Sequence, residues 1–134
     1  MSSAPELLWL AATVLLTAVL WIPYVANRFR ELGPPTWAFF PPPDPPPRAP
    51  WARRAVQAHV NAVENIALFA PLVLAVHAVG ASPAMVQVCA VYFGARLAHA
   101  VVTIAGLPIP FRTGAFLVGF ACQIALGVHV LGAV

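Results

Sequence analysis

The chain has 134 residues, of which 61% are apolar and only 8% charged, with a formal net charge of +3. A soluble domain carries about 25% charged residues, so this composition excludes a disordered tail and an ordinary water-soluble domain and points to the membrane. A spanning helix takes about 20 residues, so four spans and one real loop fill the chain and leave no room for a separate soluble domain.

Leu7 to Asn27 is the first expected span, free of charge after Glu6. No basic segment precedes it and no small-residue cleavage site follows, so it reads as a retained span rather than a leader. Pro23 near its end is expected to bend it. The stretch 33–50 is proline-rich, with Pro41-Pro42-Pro43 and Pro45-Pro46-Pro47. Proline has no N–H and clashes with a helical turn, so an extended loop is expected there. Trp37, Phe39, Phe40 and Trp51 flank it as headgroup anchors. The second span, about 56–79, carries His59, Asn61, Glu64 and Asn65 in its first half, with a kink expected around Pro71. The third, about 84–105, carries Arg96 and His99. The fourth, about 113–133, has no formal charge. The fold class expected is therefore an all-α membrane protein, a bundle of four transmembrane helices forming one domain over 1–134.

Orientation follows from the arginines, which supply all the basic residues. Arg28, Arg30, Arg48, Arg53 and Arg54 crowd the first loop and Arg112 closes the third connection, while the second connection and both termini hold none. The positive-inside rule then puts the loop 33–50 in the cytoplasm and both termini outside. An all-arginine, alanine-rich chain fits a high-GC bacterium, so a bacterial inner membrane with periplasmic termini is expected. Arginines set among apolar runs build no basic face in water, which excludes nucleic acid as a partner. Cys89 and Cys122 lie in apolar runs without CxxC spacing and read as buried thiols.

An ionisable side chain inside a span is a functional candidate, because hydrocarbon penalises it. Gln57, Asn61 and Glu64 share one helix face by their spacing of four and three, as do Arg96, His99 and Thr103. At 1.5 Å per residue, Glu64 and Arg96 fall at about the same depth on antiparallel neighbours, and a Glu64–Arg96 pair is expected. Arg112 and Thr113 stand at the inner end of the fourth span, and Asn27 and Arg28 at the inner end of the first. These groups suit a polar, anionic ligand that enters from the cytoplasm: arginine offers forks for carboxylates and Glu64 can take an ammonium. The four histidines do not form two facing pairs, so neither haem nor metal is expected.

The string Ala58-His59-Val60-Asn61-Ala62-Val63-Glu64-Asn65 resembles the second-span signature of the MAPEG superfamily, the membrane-associated proteins in eicosanoid and glutathione metabolism. Ala95-Arg96-Leu97-Ala98-His99 resembles its third-span signature, and Pro110-Phe111-Arg112-Thr113 the start of its fourth. The resemblance implies a homotrimer with glutathione bound as co-substrate between subunits near the cytoplasmic face. It implies that Asn61, Glu64, Arg96 and His99 hold glutathione, that Arg112 stabilises its thiolate, and that Thr113 assists. Gln57 stands where relatives often have arginine, Thr103 and Phe116 where tyrosines are common, and Arg53, one turn before Gln57, is in reach to supply the missing cation. Two functions are thereby implied: a glutathione-dependent transferase or peroxidase acting on lipophilic electrophiles, or a non-catalytic protein of the same fold that binds lipid or a partner.

Overall fold

The computed structural model describes residues 4–34 and 45–134. The expected anchors Trp37, Phe39 and Phe40 lie outside the described residues, as do Pro41-Pro42-Pro43. Every regular element among the described residues is helical: α1 (Pro5–Val19), α2 (Ile22–Leu32), α3 (Pro50–Val79), α4 (Pro83–Ala105) and α5 (Ile109–Ala133). Four stretches are long and apolar enough to cross a membrane: Pro5–Leu32, which joins α1 and α2, then α3, α4 and α5.

The break between α1 and α2 has a covalent cause. Pro23 has no N–H to give, and its ring crowds the carbonyl four residues back, that of Val19, where α1 ends. The helix resumes with Pro23 in its first turn, a position where the missing N–H costs nothing. Pro71 is treated differently: α3 runs through it as one continuous helix. Gly106 closes α4 in the left-handed region, at φ +71°. The Arg54 guanidinium covers that end, its Nε donating to the Ile104 carbonyl at 3.0 Å. Ser82 caps the other end of α4, its hydroxyl accepting from Met85 N–H.

The helices pack with α3 and α4 in the middle, α1 against both on one side and α5 against both on the other. The core is Phe69, Val73, Val76, Cys89, Tyr92, Cys122 and Leu126, with the Phe69 and Tyr92 rings stacked at 3.7 Å between centroids. Ala52, Ala55 and Ala58 give α3 a bare face where neighbours approach closely. The partition of polarity is that of a membrane protein. Glu6, Thr13, Thr17, Asn27, Asn65, Arg96, His99, Thr103 and Gln123 are buried, while leucine, valine and isoleucine dominate the outside. In hydrocarbon the polar groups must find partners inside the protein.

Both ends of the bundle are tied by side chains. At the arginine-poor end His77 Nδ1 donates to Glu6 Oε1 at 2.7 Å, joining the last turn of α3 to the first turn of α1. Glu6 sits in the first turn of α1, where the helix dipole favours a negative charge. At the arginine-rich end the Glu31 carboxylate accepts from the Arg48 and Ala49 N–H groups and from Asn27 Nδ2.

Candidate functional site

At the arginine-rich end a cavity of about 400 Å³ opens between α3, α4 and α5, lined by Gln57, Asn61, His99, Thr103, Arg112, Thr113 and Phe116. Helical spacing builds it. Gln57 and Asn61 are one turn apart on α3, His99 and Thr103 one turn apart on α4, and Arg112, Thr113 and Phe116 occupy the start of α5. Arg112 is four positions into that helix, so its charge adds to the partial positive charge of the free N–H groups there. Volume and lining suit a small ligand with several hydrogen-bonding groups.

Behind the cavity wall lies a buried polar ladder. Arg96 Nη2 donates to Asn61 Oδ1 at 2.9 Å. The Arg96 guanidinium stands 5.9 Å from the Phe116 ring centroid and 6.0 Å from that of Tyr92. Asn65 Nδ2 donates to the Asn61 carbonyl, and the Asn65 carbonyl in turn accepts from the Tyr92 hydroxyl and from Gln123 Nε2. Arg96 Nη1 and Thr103 Oγ1 are buried and make no hydrogen bond among the described residues. A buried donor or hydroxyl left unpaired is costly, so these two atoms mark where a ligand or a second subunit completes the bonding.

The expected Glu64–Arg96 pair does not form within the subunit: Arg96 bonds Asn61, and Glu64 is exposed. The reason is angular. Glu64 lies nine residues from both Ala55 and Val73, which are fully buried; nine steps of about 100° place it roughly 180° around the helix. Direction around the helix, as well as height along it, decides contact. Gln57 and Asn61 line the cavity, and Glu64, on the same helix, does not.

Two arginines lie elsewhere. Arg53 Nε and Nη2 donate to the Pro47 and Arg48 carbonyls, and Arg28 Nη1 donates to the Pro45 carbonyl. Neither lines the cavity of its own subunit; both hold the exit of the proline-rich stretch. His59 lies 2.8 Å from the Tyr24 hydroxyl, and His129 donates to the Gly80 carbonyl at 3.2 Å.

The MAPEG family model matches residues 7–132, nearly the whole chain. The chain belongs to the MAPEG family. Among curated proteins none matches it. Membership makes this a multi-pass membrane protein of the eicosanoid and glutathione metabolism family, a family that generally uses glutathione. Set against that, Thr103 and Phe116 of this MAPEG protein both line the cavity, so its wall carries no phenol.

Sequence reasoning missed Tyr92, Gln123 and Arg54. Tyr92 is one turn before Arg96 on the same face, and Gln123 is a lone amide in an apolar span, so both left a signal. Arg54 left none, because its partner is 50 residues away on α4.

Proposed function

We propose that this MAPEG protein is a glutathione-dependent transferase or peroxidase acting on lipophilic electrophiles. The observation that carries the reading is the single cavity wall formed by Arg112, Thr113, Asn61, Gln57 and His99. Asn61, Gln57 and His99 offer donors and acceptors for the peptide groups of glutathione. Arg96 stiffens Asn61 from behind. Arg112 and the start of α5 stabilise the thiolate over the thiol, and the thiolate is the nucleophile. The Thr113 hydroxyl can donate to the sulfur. The thiol proton leaves to water; the thiolate then forms a C–S bond as the leaving group departs with its electron pair. The lipophilic partner arrives from the bilayer, glutathione from the cytoplasm.

The active form is a homotrimer in this reading. Glu64 is exposed partway across the membrane with no ion pair among the described residues, and a charge facing lipid is costly. A neighbouring subunit covers it and brings Arg28 or Arg53 toward the site. The cavity without a phenol favours a second reading, a non-catalytic member that binds lipid or a partner protein. Calorimetry with glutathione in detergent, paired with conjugation of an aryl halide, separates them. The enzyme reading expects binding, turnover and an ultraviolet thiolate band that Arg112→Leu abolishes while much of the binding remains. Binding without a thiolate band or turnover hands the lead to the second reading.

A further inference from the structure

At the arginine-poor end a second cavity, of about 640 Å³, lies between the start of α1, the end of α3 and the start of α4. Its polar lining is Glu6, His77 and Gln87, and the rest is alanine, proline and valine. Glu6 is 4% exposed, whereas the His77 side chain is 48% exposed. Chemistry fixes the role of the imidazole. The Glu6 carboxylate can only accept, so the hydrogen in the 2.7 Å contact is on His77 Nδ1. The lone pair of the neutral ring is then on Nε2, which makes no hydrogen bond among the described residues. A carboxylate behind an imidazole holds its tautomer and raises the basicity of the far nitrogen. Gln87 is exposed, and its amide makes no hydrogen bond among the described residues either. The cavity thus offers a negative charge and two unused acceptors, and no arginine lines it. No phenylalanine, tyrosine or tryptophan lines it, so a quaternary ammonium gains no cation–π contact there.

We infer that this cavity binds a primary ammonium group, which donates to His77 Nε2 and the Gln87 amide oxygen and is balanced in charge by Glu6. The ethanolamine headgroup of a bilayer lipid and a small soluble amine share this chemistry, and a cavity at the helix ends is within reach of both. His77 is 13 residues past Glu64, roughly 140° around α3, so the cavity does not share the Glu64 face. It stands apart from the glutathione site too: Asn61 is 16 residues before His77, about 24 Å along the helix.

The test titrates the whole protein in detergent with phosphatidylethanolamine and with phosphatidylcholine of the same acyl chains, and counts bound lipid by native mass spectrometry. The two headgroups carry the same charges and differ in N–H donors. A hydrogen bond to a charged group is worth about ten-fold or more, so wild type is expected to bind the ethanolamine lipid about ten-fold tighter. His77→Phe and Glu6→Gln should each erase most of that preference. Gln87→Leu should lower it about three-fold. At an exposed position it should leave thermal melting unchanged, which keeps the test independent of the tie between α1 and α3. Glycerophosphoethanolamine, the headgroup without the chains, identifies the source. Displacement of the lipid at equal concentration assigns the site to a soluble amine; failure to displace assigns it to the bilayer lipid. No binding, equal affinity for the two lipids, or a preference unchanged in Gln87→Leu or in His77→Phe overturns the inference and leaves Glu6 and His77 as a structural tie only.

Discussion

Arg96 owes its place to Asn61. The guanidinium is nearly buried, and its Nη2 donates to an uncharged amide. A hydrogen bond to a charged group contributes about 1.5–3 kcal/mol. Asn61→Leu should therefore lower thermal stability in detergent by an amount in that range. The double variant with Arg96→Met should recover part of it, because no stranded charge remains. Asn61 and Arg96 should be coupled in this cycle. Glu64 and Arg96 should be additive in the dissociated subunit, since nothing joins them there. The sequence made the polar groups and their helix faces visible, because spacing along a helix converts directly to angle and height. It hid which pairs meet, because contact depends on how each helix is rotated. That rotation is set by Ala52, Ala55 and Ala58 packing inward, which a list of polar residues does not reveal.

At the scale of elements, the connection from α4 to α5 carries the most constraint. Gly106 is left-handed, and a Cβ there would meet the Arg54 guanidinium carbon at 2.9 Å. Gly106→Ala should cost about 1–2 kcal/mol for the backbone alone and push Arg54 off the Ile104 carbonyl. Thermal melts of Gly106→Ala, Arg54→Met and the double variant check this; the double should cost less than the sum. The four spans and the bend before Pro23 were legible in the chain, since hydropathy and proline act locally. The helix starts were less so: α3 begins at Pro50 and α5 at Ile109, because proline is tolerated in a first turn. Charge-based reading pointed instead to where hydrocarbon begins.

For the whole molecule, the exposed Glu64 is the sharpest demand. Subunit burial leaves the charged group outside, while Thr103 Oγ1 and Arg96 Nη1 lack hydrogen-bond partners among the described residues. Mass measurement of the detergent complex, corrected for bound detergent, is expected to give three chains. Glu64→Leu should weaken that assembly, or bound glutathione, more than it weakens the isolated fold. A monodisperse single chain that still binds glutathione would remove the case for a shared site.

The clasp made by Glu31 bears on engineering of the loop. Its carboxylate binds the N–H groups of Arg48 and Ala49, so the end of α2 and the start of α3 are fastened to each other directly. This fastening is made by described residues on either side of the stretch 35–44. Doubling a loop's length costs only about 0.6 kcal/mol in closure entropy. An epitope inserted between Pro35 and Asp44 is expected to leave glutathione titration unchanged as long as Glu31 holds the two ends, and Glu31→Gln should make the same insertion harmful.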